Sequence, residues 1–311
     1  MVTLIAALLA APAGARAGER WPDGPRQWTH EAGTLTLSAP PTRIVALNWA
    51  ATEALLLLGI TPVGVADRDG YGTWVQAPGL PDAGVANVGS RSAPSLEAIA
   101  ELKPDLIVTS AELAPAASQL AALAPTYVIS LYTPGADPFE RATRQLRTLA
   151  DMTGRRARAE RVLAELNATL DQERARLADA GLAGIPVALV NFLDTRHVRI
   201  YARNGLYQTV LDRLGLVNAW QAPGNFWGFS VTGLDALAAT PDARLAVIAP
   251  TPPGLADSLA ESPFWTYLPS VQKHRVYPVE ATWPFGGVYP IQRLARALTD
   301  GLLAGGDDGV E

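Results

Sequence analysis

A short pattern that occurs once in each half of this 311-residue chain constrains its architecture more than any other feature. The first copy, LEAIAELKPDLIV, spans residues 96–108, and the second, LDALAATPDARLAVI, spans residues 234–248. Each places an acid near the start of an apolar-periodic helix (Glu97, Asp235), stops the helix with Pro-Asp (Pro104-Asp105, Pro241-Asp242) and continues into a β-rich run. A second pair precedes it: EALLLLGITPVGVA at 53–66 and YQTVLDRLGLVNAW at 207–220 both read as a helix ended by Leu-Gly, as a glycine C-cap permits. Two elements duplicated in the same order predict two α/β lobes with mostly parallel sheets, and facing lobes leave a cleft suited to a small molecule.

With 49% hydrophobic residues the chain has enough apolar material for one large or two modest cores, which excludes disorder for most of it. Its 25 basic and 30 acidic residues leave no basic stripe, so nucleic acid and anionic membrane surfaces are not expected partners. Residues 1–17 carry an apolar run followed by Ala15-Arg16-Ala17, the pattern of a secretory signal cleaved after Ala17. A basic n-region is missing, and an apolar N-terminal core segment is the alternative reading. No later stretch reaches the roughly 18 to 20 uninterrupted apolar residues of a membrane helix, so the mature chain is expected to be exported and soluble. Lacking cysteine, it has no disulfide, lipobox anchor or thiolate metal site.

The expected order along the chain is a signal (1–17), an N-terminal lobe (18–154), a connecting helix (155–180), a C-terminal lobe (181–303) and a flexible tail (304–311). Residues 28–37 alternate weakly and predict a hairpin or edge strand. Strands are expected at 43–48, 63–65, 106–110 and 127–130, then at 187–191, 198–201, 245–249 and 276–278, the continuous apolar runs reading as parallel strands covered on both faces. Between the lobes, two helices are expected around Gly154, over 139–152 and 155–180. The second has an apolar stripe of Leu163, Leu166, Leu170 and Leu177 and would be roughly 39 Å long at 1.5 Å per residue. A rigid crossover of that length allows only small hinge motions.

Nucleophile-elbow, Walker-loop and dinucleotide fingerprints are absent, so no catalysis is expected. His30, His197 and His274 lie far apart in sequence, without the i, i+4 or H-x-H spacing that brings two imidazoles to one metal. Of the eight tryptophans, Trp49, Trp74, Trp220, Trp227, Trp265 and Trp283 fall in or beside connections, where side chains reach a cleft more easily than a core. YGTW, NAWQAPGNFWGF and ATWPFGGVY set aromatic faces among glycine and proline, as the walls around a bulky, partly apolar ligand require. Arg91, in NVGSRSAPS, sits on a connection at the expected cleft edge, where its planar fork would hold two ligand oxygens; the plain alternative is a solvated loop arginine.

On RIVALNW, LGITPVGVAD, YGTW with VGSR, KPDLIV, DTRH, LGLVNAWQ with NFWG, and ATWPFGG, the chain resembles the ferric hydroxamate siderophore-binding proteins of the bacterial periplasm, which feed ABC importers and join their lobes by a helix. The resemblance runs from about residue 43 to 303. It implies that Arg91 hydrogen-bonds the hydroxamate oxygens and that Trp49, Trp74, Trp220, Trp227 and Trp283 line the pocket. It also implies Leu113 and Phe285 where the family has tyrosines, each with a hydroxyl lost. Glu97 and Asp235 match the two carboxylates, one per lobe, that meet permease arginines; physics alone also explains each as an acid favoured by a helix dipole. A periplasmic, monomeric carrier follows from the resemblance. Iron would arrive already chelated as the ferric siderophore, with no cofactor or metal held by protein side chains. Cobalamin or haem carriage within the same class, and a periplasmic enzyme acting on a siderophore, are the rival expectations.

Overall fold

The computed structural model describes Trp21 and residues 24–305. The expected signal at 1–17 and the tail beyond Gly305 lie outside the described residues. The chain opens on an antiparallel hairpin, β1 (Arg26–His30) and β2 (Gly33–Leu37), where residues 28–37 predict one. Asp151 anchors it, accepting from Arg26 Nη2 (2.5 Å) and Trp28 Nε1 (2.8 Å).

The first lobe is built on a five-stranded sheet of β3 (Ile44–Ala46), β4 (Gly64–Val65), β5 (Ala86–Asn87), β6 (Leu106–Ser110) and β7 (Thr126–Ile129). Their spatial order is 5-4-3-6-7 and every pairing is parallel. Helices α1 (Trp49–Leu57), α2 (Arg68–Gly70), α3 (Leu96–Glu101) and α4 (Ala117–Leu123) connect them. Ile44, Val45, Ala46, Leu106, Ile107 and Val108 are fully buried, so neither face of the sheet centre meets water and the strands read as unbroken apolar runs. From β3 the chain steps outward to β4 and β5 and then returns to the other side for β6. That makes the carboxyl ends of β3 and β6 a topological switch point, where open α/β sheets form a crevice.

Two helices lead to the second lobe, α5 (Pro138–Met152) and the 24-residue α6 (Arg156–Asp179), about 36 Å long at 1.5 Å per residue. Leu163, Leu166, Leu170 and Leu177 are all buried on α6. The second lobe has β8 (Pro186–Phe192), β9 (His197–Tyr201), α7 (Leu206–Leu214), β10 (Val217–Asn218), β11 (Phe229–Gly233) and β12 (Arg244–Ile248). Three short helices follow, α8 (Leu255–Ala260), α9 (Pro263–Thr266) and α10 (Pro269–Gln272), and then β13 (Val276–Val279) and α11 (Tyr289–Ala304). Its sheet runs 11-9-8-12-13 with β10 beside β8; β10, β12 and β13 pair in parallel, and β9 alone runs opposite to its neighbours β8 and β11.

The duplicated segments diverge at one point. Residues 96–101 form an α-helix whose N-cap Ser95 accepts from Ala98 N, whereas Leu234–Ala239 is a 3-10 helix preceded by Gly233, which has no side chain to cap it. Gly59 and Gly215 take the left-handed conformation expected after the other repeated helix. The largest apolar cluster does not respect the lobe division: it runs from Ile44 and Leu106 through Leu149, Leu163 and Leu170 to Leu189, Ile248 and Leu294. The connecting helix packs on α5, α7 and α11, and α5 also touches α7, so the two lobes share part of one core.

Candidate functional site

A cavity of about 550 Å³ opens between the lobes, a size suited to a small-molecule ligand. The first lobe contributes residues just past strand carboxyl ends: Asn48 and Trp49 after β3, Ser110 to Glu112 at the end of β6, and Ile129 to Tyr132 at the end of β7, together with Arg91. The second lobe contributes Arg199 from β9, Phe226, Trp227 and Phe229 around the start of β11, and Trp283 and Phe285 after β13. The switch point predicted by topology is therefore one wall of this cavity.

Arg91 is positioned by a turn that only glycine suits. Gly89 has φ +95°, and a Cβ there would meet Ser95 N at 3.2 Å and Ala93 O at 3.3 Å. The loop then returns through an antiparallel bridge between Gly89 and Pro94. The Arg91 guanidinium carbon sits 3.7 Å from the Trp49 ring centroid and 5.7 Å from that of Trp283. Its Nε donates to Asp67 Oδ2 at 3.3 Å, a bond that leaves both Nη nitrogens for other acceptors. Stacking on an indole and pairing through Nε hold the fork in one orientation at small entropic cost, which is what bidentate recognition of ligand oxygens needs.

The aromatic wall is continuous. Trp49 meets Trp283 edge-on at 4.8 Å, Trp283 meets Phe285 at 5.2 Å, and Phe285 meets Trp227 at 5.9 Å. Tyr132 closes the chain of rings against Trp227 at 5.4 Å. The loop that bears Trp227 is ordered by Asn225, whose Oδ1 accepts from Trp227 N at 2.9 Å and whose carbonyl accepts from Asn204 Nδ2 at 2.8 Å. The loop that bears Trp283 and Phe285 is held from both lobes: Tyr132 Oη donates to Pro284 O (2.8 Å) and Tyr207 Oη to Thr282 O (2.9 Å). Burial pushes the Tyr132 phenol well above its ordinary pKa, so it remains a proton donor.

Of the residues expected at the site, Arg91, Trp49, Trp227, Trp283 and Phe285 come together in the cavity wall. Trp74 lies beside them, 6.2 Å from Trp283 and 41% exposed, but does not line the cavity. Trp220 is elsewhere: it is buried in the second lobe's core, with Nε1 donating to Ser230 Oγ at 3.1 Å. Trp265 is likewise a core residue, packed edge-on against Phe192. A residue in or beside a connection still packs inward when its segment lies against the sheet, as Trp220 and Trp265 do among core residues of β8, β9 and β12. Leu113, where the resemblance led us to expect a lost tyrosine, is buried in the first lobe's core. Glu97 and Asp235 are exposed in the first turns of α3 and the 3-10 helix, away from the cavity.

Among the lining residues that the sequence did not single out are Tyr132, Glu112 and Arg199. Glu112 is exposed at the mouth and accepts from Ser110 Oγ at 2.6 Å. For Arg199 a signal existed, a charge set between the fully buried Val198 and Ile200 in HVRIY. Among the described residues no group of three or more His, Cys, Asp or Glu is arranged to hold a metal ion, and no helix is long and apolar enough to cross a membrane.

Residues 44–281 match a family described as periplasmic binding protein. Over 262 residues, 84% of this chain and 87% of the relative, the sequence is 35% identical to the iron(3+)-hydroxamate-binding protein FhuD of Escherichia coli strain K12. It is 28% identical over 272 residues to the Fe(3+) dicitrate-binding periplasmic protein FecB of the same strain, covering 85% of this chain and 86% of that one. The crystal structure of the Fe3+-Desferal-bound siderophore-binding protein FhuD from Vibrio cholerae is similar with a TM-score of 0.80 at 31% identity, covering 85% of this chain and 98% of that one. These are binding proteins rather than enzymes, and by the family match and the 35% identity across most of its length, this chain belongs to the periplasmic binding protein family.

Proposed function

We propose that this protein captures a ferric hydroxamate siderophore between its lobes and delivers it to an ABC import permease, working as a monomer in the periplasm. The observation that carries this reading is the stacked guanidinium of Arg91 facing a cavity walled by Trp49, Trp283, Phe285 and Trp227. A hydroxamate chelate presents partly negative oxygens around the iron and aliphatic linkers outside them. The Arg91 fork donates to the oxygens and the ring faces cover the linkers. The iron is cargo already satisfied by the chelator's oxygens, so the protein supplies no ligand to it.

Glu97 and Asp235 belong to the permease-facing surface in this reading: one carboxylate per lobe, exposed, outside the cavity. The 35% identity to a ferric hydroxamate-binding protein and the structural likeness to a Desferal-bound one support the ligand class.

Titration of tryptophan fluorescence with ferrichrome, ferrioxamine B and iron-free desferrioxamine B tests the assignment. The ferric complexes should quench at micromolar concentrations because the indoles lie in the wall, and the iron-free chelator should not. Absence of quenching by either complex refutes it.

A further inference from the structure

Arg199 is an arginine in the interior of a strand, on the wall of the cavity that faces Arg91's lobe. Its guanidinium carbon lies 4.5 Å from the Phe229 ring centroid and 5.6 Å from that of Phe285, and its Nε is buried with no hydrogen-bond partner. Among the described residues, no carboxylate forms an ion pair with it. The contrast with Arg91 is chemical. Arg91 is paired with Asp67, whose carboxylate partly offsets its field, whereas Arg199 lies against aromatic faces with no carboxylate beside it. Glu112, the acid that lines the same cavity, is exposed on the opposite lobe and bonded to Ser110, where water screens it.

Placing a cation with no carboxylate partner, only the neutral Tyr201 phenol bonded to it, on a half-dry wall costs folding free energy that Val198-like residues at this position would not. That cost is recovered when an anion arrives, because the attraction acts in a site from which the ligand itself excludes water. Resting on the reading of this cavity as a hydroxamate-chelate site, we infer that Arg199 is a specificity-determining residue that selects chelates bearing a negatively charged arm, a carboxylate in chemical class, over neutral or cationic ones.

A matched ligand series isolates charge from iron chemistry. Ferrioxamine B carries a pendant ammonium; acetylating that amine makes it neutral, and succinylating it adds a carboxylate, with the ferric core unchanged. The wild-type protein should bind the succinyl form about 10- to 100-fold more tightly than the acetyl form, as expected for a charge-assisted hydrogen bond, and the ammonium form most weakly. Arg199→Leu should bring the ratio of succinyl to acetyl affinity to about 1 whatever the absolute affinities, and an unchanged melting temperature reports an intact fold. Arg199→Lys, a point charge without the fork, should retain part of it. Equal wild-type affinity for the acetyl and succinyl forms, or a preference that survives Arg199→Leu, overturns the inference while leaving the ligand class standing. Failure of all three ferric complexes to bind overturns this inference, and failure of ferrichrome as well overturns the ligand class itself.

Discussion

Glu53 is fully buried on α1, yet its carboxyl group reaches the other end of the sequence. Oε1 accepts from Tyr289 N at 3.0 Å and Oε2 from Gly287 N at 3.3 Å, so a side chain of the first lobe caps the start of α11, whose own N-cap Val288 has no capping side chain. Glycine at 286 and 287 permits the approach, since a Cβ on either would come within 2.6 Å and 2.9 Å of the carboxyl oxygens. Burial raises the Glu53 pKa from 4.5 to about 8, against the opposing pull of the two backbone N–H groups and Arg293. Tyr71, whose own phenol is pushed up by burial and by Glu53, stays neutral across this range.

The native state therefore keeps a proton that the unfolded chain releases near 4.5. Unfolding between those two values sets a proton free, so the contribution of this group is fully present below pH 4.5 and is lost as pH rises through 8. At about 1.4 kcal/mol per pH unit, that interval corresponds to about 5 kcal/mol. Glu53→Gln fills the same space and has no proton to lose. Urea unfolding of both proteins at fixed ionic strength across this pH range measures the difference in stability. The variant should lie within about 1 kcal/mol of wild type in acid, where one hydrogen bond is exchanged for another. It should then gain on wild type by about 4 to 5 kcal/mol by pH 8.5, with an unchanged denaturant slope. A stability difference that stays flat with pH refutes the assignment of a buried, protonated Glu53.

Arg91→Ala should weaken ferric hydroxamate binding by about 10- to 100-fold, the loss of a charge-assisted hydrogen bond, with an unchanged melting temperature; isothermal titration calorimetry and thermal unfolding check the two halves. Glu97→Ala combined with Asp235→Ala should abolish transport in cells or in liposomes holding the cognate permease while leaving ligand affinity unchanged, and a collapse of affinity would place those acids in the pocket or the fold instead. Trp220→Phe should cost about 1 kcal/mol of stability through the lost bond to Ser230 and leave ligand affinity where it was, because that indole lies in the core and not in the wall.

The two-lobe plan was legible because it is written in local periodicity. The repeated helix-to-strand pattern, the alternating hairpin at 28–37 and the leucine stripe of α6 each depend on residues a few positions apart, and each appears in the structure. The place of Arg91 on a connection at the cleft edge was legible too, from its position between Val88-Gly89 and the repeated helix. The tryptophans were legible only in part. Their placement in connections singled out Trp49, Trp227 and Trp283 for the wall, but Trp220 and Trp265 satisfy the same local description and are packed into the second lobe's core.

By itself, the sequence determined which faces are apolar, where helices start and stop, and that the chain forms two α/β halves around a long helical connection. Only the tertiary structure decided which surfaces meet. The Glu53 cap on α11 joins residues more than 230 positions apart, Tyr132 reaches Pro284, and Arg199 becomes a cavity residue because β9 lies beside β11 and faces the loop after β13. Solvation and backbone geometry act residue by residue and leave a periodic trace in the sequence. The dielectric surroundings of a carboxyl or guanidinium are set by whatever distant segment packs against it, and no local pattern records that.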